Sequence, residues 1–213
     1  MNDVIRTTPK EGLVLDVAKK FIPVPAGTPG IRFRSMKGGQ ALDEIPAEAK
    51  LLILAPDYTD VQRKIAVFQR ETGWDVGHRA RGKSLEIFAR SGMPGKERNA
   101  VSILMDLAGR LPFAGDDIRE FFDFYNRHIG FSTDGDALGI GTFAPSREVP
   151  FVQAGAIEMS PEAAGLTLYI AGPLPCREEE IFEAMMPVLN RYDMGLVKRP
   201  RQDEEGSGAA RRA

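Results

Sequence analysis

Between residues 137 and 172 the chain carries three short runs, ALGIGTF, FVQAGAIEM and LTLYIAG, separated by turns that bear Pro and Gly. Alternating or apolar runs of this length and spacing read as strands. A helical pattern over about 177–192 follows them. The order strand, strand, strand, helix favours an antiparallel sheet with a helix laid on one face. Upstream, IRFRSM alternates apolar and basic residues like a half-exposed strand. KLLILA at 50–55 is a continuous apolar run of the kind covered on both faces, and SLEIFAR at 84–90 is strand-like. The predicted fold is a single α+β (or mixed α/β) domain with a largely antiparallel sheet of about six strands and helices packed mainly on one face.

Helix signals fill the intervals. TPKE at 8–11 offers Thr8 as a cap, Pro9 at the first helical position and Glu11 to reach back, which predicts a helix to about Lys20. PVPAGTPG at 23–30 is a connector. Thr59 with Gln62 forms a second capping box, for a helix over about 60–71 that buries Val61, Ile65 and Phe68 and stops at Gly73. A third helix is expected from about Pro94 to Ala108, burying Val101, Leu104, Leu107 and Ala108, with Gly109 as its stop. Asp116 and Asp117 open a fourth, in which Ile118, Phe121, Phe122, Tyr125 and Ile129 form the strongest amphipathic stripe in the chain. The domain is expected to span 1–198. Residues 199–213 mix charge with Gly, Ser and Ala, too little apolar surface to offset their ordering entropy, and are expected to form a disordered charged tail.

A net charge of −2 across 213 residues argues against general nucleic-acid binding, which usually needs a strongly basic domain. One cysteine cannot form an internal disulfide, and neither a signal-peptide core nor an apolar stretch of membrane-spanning length is present, so the expected setting is cytoplasmic with no membrane contact. The oligomeric state is left open.

Motifs that would carry chemistry fail on inspection. SLEIFARSGMPGKER has the outline of a phosphate loop, but Arg90 stands where the first glycine should be and Glu97 where the magnesium-binding hydroxyl should be. STDGDALGIG supplies too few alternating acids for a calcium loop and reads as a turn. Two histidines, His78 and His128, and one cysteine give no zinc spacing, so no metal and no cofactor are expected. His128, near a helix end, favours the negative pole and caps carbonyls. Cys176 sits at a helix start that favours a thiolate, but Glu178, Glu179 and Glu180 oppose ionisation, so an inert thiol is expected.

What remains is a set of cations, Arg79, Arg81, Lys83, Arg90, Lys96 and Arg98, flanking the turn before the third helix. If they converge, they form an anion- or partner-binding site. The sequence therefore favours a non-enzymatic binding or accessory protein that meets a protein partner through a surface. The alternative is a small enzyme or ligand-binding protein that recognises a phosphate- or carboxylate-bearing substrate through the 79–98 region.

Overall fold

The computed structural model describes residues 12–39, 44–92, 97–141, 151–171 and 178–198. Among these, eight strands form one sheet: β1 (Gly12–Lys20), β2 (Arg32–Gly38), β3 (Glu48–Leu54), β4 (Val76–Arg81), β5 (Ser84–Arg90), β6 (Phe151–Met159), β7 (Ala163–Ala171) and β8 (Gly195–Lys198). The order is β4-β5-β3-β2-β6-β7-β1-β8, with every neighbouring pair antiparallel. Four helices complete the fold: α1 (Tyr58–Thr72), α2 (Ala100–Gly109), α3 (Asp116–His128) and α4 (Glu178–Arg191). The α+β class, the antiparallel sheet and the helices packed on it agree with the sequence reading. The sheet has eight strands rather than about six.

Three local expectations are corrected. The helix expected to reach Lys20 is a strand from Gly12 onward, because Leu13, Leu15 and Val17 repeat at the strand period and are buried on one face. Its backbone pairs with β7 on one side and β8 on the other. TPKE itself lies outside the described residues. ALGIG is not a strand but a 3₁₀ turn over Asp136–Leu138, bounded by Gly135 and Gly139 at positive φ. Its Leu138 and Ile140 are buried instead of alternating along a sheet. Finally, α1 is capped by Asp57, whose carboxylate accepts from the Thr59 N–H, and not by Thr59; Gly73 ends it in the left-handed conformation as expected.

The core lies on one side of the sheet. Ala49, Leu51 and Ile53 of β3, Leu85, Ile87 and Ala89 of β5, and Leu166, Leu168 and Ile170 of β7 are buried. Strand alternation puts each set on a single face. α2 packs across β3, β5 and β6 and carries α3 on its back, so eight of its ten residues are buried. The α3 stripe is the one read from the sequence: Phe122 meets Phe33 and Phe113, and Phe121 meets Phe21 edge-on. Each such ring contributes about 1.5–3 kcal/mol by leaving water. α1 joins this layer through Phe68, over which the Arg110 guanidinium lies at 4.8 Å, and the Tyr192 ring just beyond α4 meets Phe124. No helix among the described residues is long and apolar enough to cross a membrane.

Candidate functional site

With the helices on one side, the alternate residues of each strand point to the other, and this helix-free face is charged. Four of its cross-strand pairs are ionic or polar: Arg79 with Glu86, Arg90 with Glu48, Lys37 with Glu158 at 2.5 Å, and Thr167 donating to Asp16 at 2.7 Å. Opposite charges at directly facing positions each contribute a few tenths to about 1 kcal/mol to the sheet.

Glu86 stands apart from the other acids on this face because it is only 5% exposed. Arg79 Nε donates to Oε1 at 2.6 Å and Arg81 Nη1 donates to Oε2 at 2.8 Å, so one carboxylate holds two arginines. Burial pushes the Glu86 carboxyl up, but the hydrogen bonds and charges of Arg81 and Arg79 outweigh it and hold the group below the usual carboxylate range. The two arginine side chains are about 60% exposed, so their remaining N–H donors face solvent from a fixed position.

Next to this clamp, Phe88 lies flat on the face between its cross-strand neighbours, Gly77 and Lys50. The glycine lets the ring lie there, because a Cβ would stand 2.3 Å from the tip of the Phe88 ring. The Arg90 guanidinium sits 5.1 Å from the ring centroid. Arg79, Phe88, Arg90, Lys50 and Glu48 line a depression of about 170 Å³. Glu48 and Lys50 also form a wall of a much larger trough of about 1050 Å³ further across the face. Its floor includes Ala18, Ala156 and Gly165, whose lack of bulk leaves the backbone approachable, and the backbone of Gly38. Lys37, Glu158 and Asp16 supply charge, and the segment 44–47 forms a wall with Ile45 exposed. Gln153 Nε2 donates to the Glu44 carbonyl and helps hold that wall.

The six cations singled out in the sequence are thus distributed unequally. Arg79 and Arg81 share Glu86, and Arg79 and Arg90 share the Phe88 depression. Lys83 sits in the β4–β5 turn, about 20 Å along β5 from Arg90. Arg98 is exposed just before α2, with its N–H donating to the Ser91 carbonyl. Lys96 lies outside the described residues, as does Cys176. The start of α2 is closed from within: Ala100 N–H donates to the Pro46 carbonyl, and the Asn99 side chain accepts from the N–H groups of Val101 and Ser102. A carboxamide already occupies the position an anion would take.

The segment HRARGK is the end of strand β4 and its turn. Gly82 at φ 61° fits the first central position of a two-residue type II′ hairpin. The sequence reading missed Lys50, Glu48, Phe88 and Glu86. A period-two signal was present, with Glu86, Phe88 and Arg90 alternating through an apolar strand and Glu48 and Lys50 through another.

His78 is exposed on β4. His128 Nδ1 lies 2.7 Å from the Ala137 carbonyl and Nε2 lies 3.3 Å from the Tyr192 hydroxyl, with the ring packed against Phe124 and Tyr192. Both nitrogens thus serve the joint between α3, the 3₁₀ turn and the end of α4. In the STDGD turn, Asp134 accepts from the Ser132 hydroxyl and the Asp136 N–H. Among the described residues no group of three or more His, Cys, Asp or Glu gathers as metal ligands.

No protein family matches this chain, and no curated protein matches it at a significant level.

Proposed function

We propose that this is a non-enzymatic binding or accessory protein that engages a protein partner through the helix-free face of its sheet, at the basic end formed by β4, β5 and β3. The observation that carries the reading is the arginine pair held by Glu86. Exposed ion pairs add little to stability, whereas a carboxylate taken out of water to fix two outward-facing guanidiniums reduces the ordering cost of binding an acidic group. Phe88 beside them supplies the flat aromatic surface on which interfaces concentrate their energy. The breadth of the face supports a macromolecular partner over a small anion. Small-ligand sites enclose most of their ligand, and this trough is bordered by exposed side chains such as Ala18, Lys37, Ile45 and Glu158.

The test is quantitative co-purification from native cells at low salt. It compares the intact protein with a Lys50→Ser/Phe88→Ser variant on the face and an Arg127→Ser variant on the helix side. A partner retained by the intact protein and the helix-side variant but lost by the face variant supports the reading. Equal recovery by all three contradicts it.

A further inference from the structure

β4 is the outermost strand of the sheet, paired with β5 on one side only. The phase of that pairing follows from one bond: Arg90 N–H donates to the Asp75 carbonyl, so 75 and 90 are a hydrogen-bonded pair. Antiparallel ladders alternate, so Gly77, Arg79 and Arg81 also direct their backbone groups toward β5, and Val76, His78 and Ala80 direct theirs outward. The fold closes one end of this outer edge, where the Val76 carbonyl accepts from Gln69 Nε2 of α1. The other end is the Gly82 turn, whose Lys83 carbonyl points back toward the β3 side and accepts there from the Tyr58 hydroxyl at 2.7 Å. Between the capped Val76 carbonyl and the turn lie the outward N–H and C=O groups of His78 and Ala80, for which the described residues provide no partner.

The side chains flanking that gap have a fixed polarity. Arg79 and Arg81 stand on the helix-free face, held by Glu86, and His78 and the small Ala80 stand on the other. A strand added outside β4 would form hydrogen-bonded pairs with His78 and Ala80 and non-hydrogen-bonded pairs with Arg79 and Arg81. Non-hydrogen-bonded pairs bring side chains closest, with Cβ atoms about 5 Å apart. An acidic residue opposite each arginine would therefore reach guanidinium donors that Glu86 leaves unused.

We infer that the β4 edge binds an extended acidic segment of a partner protein by strand addition, with Asp or Glu at two positions i and i+2 paired to Arg79 and Arg81. This rests on the reading of the helix-free face as the docking side, and specifies how the partner arrives there. Main-chain hydrogen bonds to His78 and Ala80 would supply affinity, and the arginines would select acidic alternation.

The test uses a fluorescein-labelled ten-residue peptide alternating Glu with Thr, titrated against the full chain by polarisation. Three comparisons accompany it: the same peptide N-methylated at alternate residues, an Ala80→Pro variant, and an Arg79→Gln/Glu86→Gln/Arg81→Gln variant that removes the charges without stranding a buried carboxylate. Ala80 gives no backbone bond to β5, so proline there should leave the hairpin folded, which a circular-dichroism melt checks. Binding of the parent peptide, weakened about tenfold or more by N-methylation, by Ala80→Pro and by the triple variant, is the expected result. If no parent peptide binds at millimolar protein, or if N-methylation and Ala80→Pro change nothing while the triple variant does, strand addition is overturned. In the first case the arginines serve to block edge pairing, and in the second they bind acidic chains by charge alone. In either case, a partner still lost by the Lys50→Ser/Phe88→Ser variant in co-purification leaves the docking face itself standing.

Discussion

Arg79 and Glu86 face each other across the β4–β5 ladder, with Nε donating to a carboxylate oxygen at 2.6 Å. The carboxylate is buried and the guanidinium is not, so the pair links hairpin stability to the chemistry of the exposed face. Glu86→Gln keeps an acceptor but loses the charge. It is expected to lower stability at pH 7 by roughly 1–2 kcal/mol, a fall in Tm of about 2–8 °C. Because the folded carboxyl titrates below its ordinary range, its contribution is complete above that range and is lost as pH falls through the folded value. The difference between the intact protein and Glu86→Gln, measured by urea melts, should therefore shrink from pH 7 toward about pH 3. A difference that grows on acidification would reverse the sign of the argument.

The buried Ser102 and Tyr125 hydroxyls lie 2.8 Å apart, and Ser102 Oγ also donates to the Gly130 carbonyl. Burial pushes the Tyr125 phenol well above its usual range, so it stays neutral. Removing each partner has unequal consequences. Tyr125→Phe leaves Ser102 bonded to Gly130 and should cost about 1 kcal/mol, whereas Ser102→Ala strands a fully buried phenol and should cost about 1–3 kcal/mol. Denaturant unfolding of both variants measures the order, which the hydrogen-bond geometry predicts regardless of the absolute values.

Gly139 and Gly73 both adopt positive φ, at 85° and 71°, but only Gly139 is crowded, since a Cβ there would meet the Ala184 carbonyl of α4 at 2.8 Å. Gly73→Ala should cost about 1–2 kcal/mol from its backbone conformation alone. Gly139→Ala adds displacement of α4 and should cost about 2–4 kcal/mol. Thermal melts that place the two variants together would show that the 3₁₀ turn is not clamped against α4.

Elements whose periodicity reflects a single environment were legible in the sequence. The α3 stripe of Ile118, Phe121, Phe122 and Tyr125 meets one continuous layer, and FVQAGAIEM and LTLYIA pair as a hairpin. Elements defined by their neighbours were not. GLVLDVAKK follows a strong helix-start motif, and only the β7 and β8 partners, far away in sequence, reveal why alternation wins. VGHRAR is too polar to announce a strand; the Gly82 turn and Glu86 make it one. GLVK is four residues at the far edge. The trough was invisible for the same reason, since its floor is assembled from Ala18, Gly38, Ala156 and Gly165 on four different strands. The basic residues of the candidate site were visible as a list, but their division between a hairpin clamp, an aromatic depression and a helix start depends on strand register.

The half-buried ring of Phe88, on the helix-free face, separates binding from folding. Replacing it by Ala opens no cavity in the helix-side core and should change stability by less than about 1 kcal/mol, while removing the aromatic surface between Lys50, Arg79 and Arg90. Loss of partner recovery with an unchanged melting curve is the expected combination. A collapse of Tm would make Phe88 a structural residue instead.

The central claim, that the partner meets the helix-free face, is tested most directly by site-specific photo-cross-linking in native cells. A benzophenone side chain replaces Phe88 or Lys37 on the face in two variants, and Arg127 on the helix side in a third. The account predicts one cross-linked species of the same mass from positions 88 and 37, weakened by added salt, and none of that mass from position 127. Cross-linking of that species from position 127 alone would contradict it.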